Sequence, residues 1–351
     1  MDHPTPTRAV CPICSAEEAE ALHTFGSDEV AQHYALKESD PERYERFRRE
    51  IERLWGGATC RVLRCRACGF IHADPFVPGD GPFYSLFYDD PRFPAWKWEY
   101  EETMRVLREE AGGGRLHQPR VLEIGAGTGM FVGRVAREIT PAGNILTLEY
   151  SDAGAAAIRA QGIASLQTDL HSLGAEYDGT FDVLCLYQVL EHMNELDRVF
   201  ADLHRIAAPG ALLFIAVPSD AMMTFYEEKG AWLDTAPVHL SRWNRESFRM
   251  IGERHGWRIE AHDVEPDTVL QRFTQFALYG YVHRTKRSGT LFNWAERRRN
   301  RLVRYLFQVP LISLMALRYL PSAPALMKKV KGHSQMVRMV KEGGARSGGN
   351  A

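Results

Sequence analysis

Residues 121–129 read VLEIGAGTG. Branched apolar residues run straight into three glycines at alternate positions, Gly125, Gly127 and Gly129. A helical pattern, MFVGRVAREI, follows directly. Strand, bare backbone and helix in that order put free amides and a helix N-terminus at the carboxyl edge of a sheet. A small charged ligand suits such an edge, and two cofactor types compete for it. A dinucleotide asks for Gly-x-Gly-x-x-Gly/Ala. The sixth position counted from Gly125 is Met130, so that motif breaks where close helix packing is required. The pattern present is Glu-x-Gly-x-Gly-x-Gly, with Glu123 two residues before the first glycine.

Outward from this stretch, residues 93–267 alternate short apolar strands with helical patterns. RVLEIG, NILTLEY, FDVLCLY, ALLFIAVP and WRIEAHDV read as strands; MFVGRVAREI and ELDRVFADLHRIA read as helices. Nearly continuous apolar strands between helices imply an α/β fold with a parallel sheet covered on both faces. Glu149 ends the second strand, and Asp169 ends a weaker third one in LQTDL. A single loop carboxylate usually caps a helix or sits in solvent. Carboxylates at successive strand ends stand where such sheets bind ligands.

At this point the chain resembles the class I S-adenosylmethionine (SAM)-dependent methyltransferases, over about residues 115–262. VLEIGAGTG is similar to their first motif and FDVLCLYQVLEHM to their fourth strand and its exit. HRIAAPGALLFIAVPS and HLSRWNRESFRMIGERHGW match the elements that close the domain. The resemblance implies a Rossmann-like sheet with helices on both faces and SAM as cofactor. It implies that Glu149 takes the ribose hydroxyls, since a carboxylate accepts two hydrogen bonds from a vicinal diol. It implies that Asp169 reads the adenine amino group. By the same resemblance Glu123, Gly125, Ala126, Gly127 and Gly129 meet the amino-acid and ribose part, and Tyr150, Leu170, Tyr187 and Gln188 complete the cofactor site.

Methyl transfer is an in-line displacement from a sulfonium, helped by alignment and sometimes by a base. Groups after strands four and five are the candidates. His192 in LEHM follows strand four, and His239 in PVHLSRW lies in the long loop after strand five, with Tyr226 and Glu227. An unperturbed imidazole has its pKa near neutrality, which makes the two histidines the candidates for a base. The Asn/Asp-Pro-Pro-Tyr motif of amine methylation is missing; YQVL stands there, which argues against N-methylation. No acidic cluster suggests a catalytic magnesium ion.

Six cysteines are present, and four form two Cys-x-x-Cys pairs, CPIC (Cys11, Cys14) and CRACGF (Cys65, Cys68). Four thiolates at that local spacing suit tetrahedral zinc, and a long insert between pairs is tolerable because closure costs rise slowly with length. The insert contains PERYERFRREIERLW, a helix with Asp40 as N-cap, Pro41 at N1 and an apolar stripe of Tyr44, Phe47, Ile51 and Leu54. Cys60 and Cys185 read as packed thiols. The arrangement resembles bacterial methyltransferases with an N-terminal zinc-binding module, which implies structural zinc: four thiolates leave no open position for catalysis.

Net charge is −2, which implies no nucleic-acid partner. The first residues, MDHPTPTRAV, carry no signal-peptide apolar run, so a cytoplasmic location is expected. The expected organisation is a zinc module over 1–92, a SAM-binding core over 93–267, a basic helical insertion over 268–331, a final strand over 332–342 and a disordered tail over 343–351. Between residues 281 and 332 twelve Lys/Arg stand against one acidic residue, Glu296. The insertion reads as core packing or a homodimer contact, a membrane-surface element, or a substrate lid. The expected activity is O-methylation of a small-molecule or glycan acceptor, lipid-linked if the insertion meets a membrane. Rivals are carbon methylation of a sugar or ketone, RNA methylation, and SAM binding without transfer.

Overall fold

A computed structural model describes residues 6–38, 40–87, 96–227, 235–285, 289–296, 298, 300–322, 324 and 332–343. Residues 344–351, expected to be a disordered tail, lie outside them. Among the described residues there are twelve strands: β1 (Pro6–Arg8), β2 (Glu18–Gly26), β3 (Thr59–Cys65), β4 (Ile71–Asp74), β5 (Val121–Ile124), β6 (Ile145–Leu148), β7 (Ala164–Leu166), β8 (Phe181–Tyr187), β9 (Ala207–Pro218), β10 (Ser241–Arg242), β11 (Trp257–Val264) and β12 (Ser334–Lys341). They form a five-stranded sheet, β1-β2-β3-β4-β10, and a seven-stranded sheet, β11-β12-β9-β8-β5-β6-β7.

In the larger sheet β7, β6, β5, β8 and β9 are parallel. β12 enters antiparallel between β9 and β11. The order reverses at β5, whose neighbours are β6 and β8, so the VLEIGAGTG turn opens at the sheet's switch point. The apolar strands are continuous because both faces are covered. Val121, Val183, Cys185 and Phe214 pack on one face, and Leu122, Ile124, Leu184 and Leu213 on the other, as the two-residue period of a strand requires. Cys185 is therefore the core thiol expected, and burial raises its pKa.

The N-terminal sheet carries a helix, Pro41–Trp55, on one face. Its Asp40 side chain accepts the Arg43 amide at 3.1 Å, and Tyr44, Phe47, Ile51 and Leu54 are buried as the stripe predicts. Cys60 is buried in β3 within this apolar cluster. The sheet's fifth strand, β10, comes from the far end of the chain's middle stretch: Ser241 pairs with His72 and Arg242 with Ile71. Nothing local in the sequence announces this pairing. The other face of the module joins the main core, where Cys11, Ile13, Cys65, Cys68 and Phe70 share one cluster with Phe200, Trp243 and Trp257.

Between β11 and β12 the described residues include the helices Val269–Thr285, Leu291–Glu296 and Arg301–Tyr319. Their small shared core is Ala277, Tyr281, Ala295, Leu311 and Met315. At the base a buried Arg272–Asp267 ion pair (2.7 Å) and a His333–Gln275 hydrogen bond (2.5 Å) tie them to the sheet. Among the described residues no helix is long and apolar enough to cross a membrane.

Candidate functional site

The glycine turn has the shape its sequence implied. Gly125, Gly127 and Gly129 all have positive φ, between 56° and 73°. At Gly125 a side chain is doubly excluded: φ is +71°, and an added Cβ would lie 2.5 Å from the Val189 Cγ2 methyl. That contact also sets the exit of β8 against the turn.

Glu149 is built into the same turn. Its Oε2 accepts the Gly127 amide at 2.8 Å, while Oε1 accepts the Ser151 amide (2.9 Å) and hydroxyl (2.7 Å). The carboxylate is thereby fixed beside the glycine turn at the carboxyl edge of the sheet. Tyr150 beside it is exposed, and partial desolvation and the Asp169 charge raise its pKa. Asp169 lies three residues past β7, not within it, and caps a single 3-10 turn: its Oδ1 accepts the Ser172 amide at 2.7 Å. The capping role is thus observed for this side chain. Leu170 and Ala126 are buried beneath this edge.

Glu123 is wholly buried, and burial pushes its carboxyl well above the ordinary carboxylate range, against the partial pull of Lys97. Its Oε2 has no hydrogen-bond partner among the described residues. A buried carboxyl of this kind suits a cationic ligand, and SAM is cationic at both its sulfonium and its ammonium. Tyr187 is also buried, its ring 5.1 Å from that of Tyr100 and 5.0 Å from that of Phe131. Gln188 takes a left-handed conformation (φ 59°), and its amide donates to Glu99 Oε1 (3.2 Å) and Ser334 Oγ (3.0 Å). The Tyr187 ring is thus engaged with Tyr100 and Phe131, and the Gln188 amide with Glu99 and Ser334.

The two candidate histidines, 47 positions apart, meet: their rings lie 4.6 Å apart, edge to face. His192 sits on the short turn Leu190–His192 after β8, and its Nδ1 bonds the Val238 carbonyl at 2.7 Å. That bond assigns the proton to Nδ1 and leaves Nε2 as the acceptor. Glu191, buried and adjacent, was not singled out from the sequence; its Oε1 lies 3.9 Å from His192 Nε2. The signal was present as the dipeptide Glu-His at a strand exit. Tyr226 and Glu227, expected in a loop, are on a helix, Asp220–Glu227. The Tyr226 side chain lies outside the described residues, and Glu227 forms a buried ion pair with Arg242 of β10.

The two cysteine knuckles converge. Cys11 and Cys68 sulfurs are 3.7 Å apart, Cys14 and Cys65 sulfurs 3.5 Å, and all four lie within 4.8 Å of one another. Zinc–sulfur bonds of about 2.3 Å give a tetrahedron of edge about 3.8 Å, so the thiols fit the ion. Gly69 supplies the left-handed turn (φ 71°) after the second pair, and the Ile13 amide faces Cys11 Sγ at 3.4 Å. The neighbouring Cys68 thiol draws the Cys11 thiol down to about 5.

Residues 95–262 match a family model described as "Methyltransferase domain". An uncharacterised protein of Synechococcus is 30% identical over 153 residues, covering 41% of this chain and 33% of that one. A lovastatin diketide synthase of Aspergillus terreus is 25% identical over 243 residues, covering 61% of this chain and 10% of the synthase. The chain thus spans a third or less of the length of these two relatives. Magnesium protoporphyrin IX methyltransferase from Synechocystis, solved with S-adenosylhomocysteine, aligns over 73% of this chain and 90% of that chain, with 13% identity and a TM-score of 0.41. The family match falls on the stretch that carries the glycine turn, the acidic strand ends and the paired histidines, so residues 95–262 are similar to a methyltransferase domain, and beside them Cys11, Cys14, Cys65 and Cys68 could hold a zinc ion.

Proposed function

We propose that the protein transfers the SAM methyl group to a hydroxyl oxygen of a small-molecule or glycan acceptor. The observation that carries this reading is the His192–His239 pair at the exit of β8, one short turn from the glycine loop. A hydroxyl must lose its proton as its oxygen attacks, and an imidazole with its Nδ1 proton already engaged offers Nε2 for that purpose. An aliphatic amine that arrives uncharged needs no such group, and the amine motif is missing. The test uses methyl-labelled SAM with an extract of small hydroxylated metabolites and oligosaccharides. His192→Ala should slow labelling by about 10²–10⁴-fold, the usual worth of a positioned base, while S-adenosylhomocysteine affinity stays within about twofold. Label that appears only on nitrogen or carbon, or a His192→Ala rate equal to wild type, overturns the reading.

A second observation bears on where the acceptor resides. On the helix Arg301–Tyr319 and its extension, Leu302, Tyr305, Leu306, Val309, Leu317 and Leu320 are all more than half exposed. Their spacing puts them on one stripe, opposite the buried Leu311 and Met315. With twelve cationic residues against one anionic between 281 and 332, the fitting occupant is an anionic bilayer surface at the cytoplasmic side, and the acceptor would be lipid-linked. Sedimentation with vesicles containing phosphatidylserine, weakened by salt, is expected. A concentration-dependent dimer that ignores such vesicles assigns the stripe to a second copy instead.

A further inference from the structure

Glu191, His192 and His239 do more than neighbour one another: one ligand-capable atom from each lies within 4.8 Å of the other two. We propose that these three side chains form a second metal site, distinct from the four cysteines, which holds a divalent cation against the acceptor. Two imidazoles and one carboxylate make a borderline donor set that suits zinc, manganese, iron(II) or cobalt(II) and leaves further coordination positions open. The four cysteines are a closed set and leave none.

Three features of the surroundings fit a cation. The Val238 carbonyl takes the Nδ1 proton of His192 at 2.7 Å, which turns Nε2 toward the group as a lone-pair donor; metal-bound histidines are typically anchored by such a bond. Glu191 is buried, and its backbone carbonyl accepts the Leu240 amide at 2.8 Å, so the His239 loop is pinned beside it. The gap between Glu191 Oε1 and His192 Nε2 is 3.9 Å, and bonds of about 2.1 Å from a shared cation would bring such atoms to roughly 3 Å, a small side-chain adjustment. The group carries one formal negative charge with both imidazoles neutral, so a divalent cation leaves one positive charge to attract an anionic oxygen.

The chemistry follows. This part rests on the O-methylation reading but replaces its base: with a cation bound, the His192 Nε2 lone pair is a ligand and takes no proton, and His192→Ala slows labelling through loss of the metal; the metal site itself does not rest on that reading. An acceptor with two neighbouring oxygens, such as a vicinal diol or an α-hydroxy carbonyl, would fill two open positions. Coordination acidifies its hydroxyl, which releases its proton to solvent. The oxygen then attacks the methyl carbon, the carbon–sulfur bond breaks with its electron pair passing to sulfur, and the products are a methyl ether and S-adenosylhomocysteine. Val189, which touches the Gly125 turn, lies two residues before Glu191, so cofactor and cation sites share one short stretch of chain.

The test is a titration of the zinc-loaded protein with Co²⁺ alone. Wild type should bind one equivalent with weak visible bands and no thiolate charge-transfer absorption. Glu191→Ala and His239→Ala should each weaken that binding at least about a hundredfold, while S-adenosylhomocysteine binding, the check on folding, is unchanged. The proposal is overturned if wild type takes up no Co²⁺ beyond the cysteine site, or if both variants bind it as wild type does. With the site confirmed, chelation of this cation should abolish labelling of vicinal diols. Co²⁺ binding at the three side chains with no label on any oxygen acceptor keeps the metal site and overturns the acceptor chemistry.

Discussion

The four-cysteine sheet and the helical insertion are both additions to one seven-stranded core, and they are joined to it in opposite ways. The cysteine sheet is welded on. Cys65, Cys68 and Phe70 share the main core's apolar cluster, β10 is lent to its edge, Asn244 donates to the Cys68 carbonyl at 3.2 Å, and Arg254 donates to the Ile13 carbonyl at 2.6 Å. The insertion has its own five-residue core and leaves an apolar stripe in solvent. A region whose buried apolar residues share the main core is framework. A region that keeps apolar residues exposed is addressed to something else.

The contrast can be broken at either end. The largest effect is expected at the cysteines. Cys65→Ser or stripping of the metal should cost more than about 5 kcal/mol, because ligand binding and folding are one process in such clusters, and should lower methyl transfer as well, since β10 follows the His239 loop. Calorimetry that shows the core melting unchanged would mean the sheet is merely tethered. Next is the seam. Phe70 is fully buried, its ring edge-on to Trp243 at 5.0 Å, and Phe70→Ala should destabilise the chain by about 3–5 kcal/mol in a single cooperative transition. Two separate transitions in denaturant would break the framework description. Smallest in stability is the pair Leu306→Ser and Leu317→Ser on the insertion, expected within about 0.5 kcal/mol of wild type, with vesicle binding lost. A large destabilisation would show that the stripe is packed in solution.

Legibility in the sequence followed the range of each interaction. The glycine turn, the apolar strands, the Asp40-capped helix and the cysteine knuckles are written in neighbouring residues, and a period of two or 3.6 suffices to read them. What stayed hidden depends on distant residues. β10 is two residues long and becomes a strand only because β4 lies beside it. Glu191 looked like one carboxylate among many until the fold carried His239 to it. Gln188 is brought by its left-handed backbone to Glu99 and Ser334, residues 89 and 146 positions away, which no local pattern announces. The insertion was foreseen as helical and basic, but which apolar residues face inward is decided by the mutual packing of its helices.

The two-residue strand β10 has a practical corollary. The recognised methyltransferase stretch, 95–262, looks like a natural piece to express by itself. Cut there, it would carry Ser241 and Arg242 as an unsatisfied edge and Trp243 with its Phe70 side stripped bare. It would also lose β12, which lies between β9 and β11. The boundary of family likeness is therefore not the boundary of the folding unit, and a fragment drawn by the former should be sticky, short-lived and inactive for reasons unrelated to its catalytic residues.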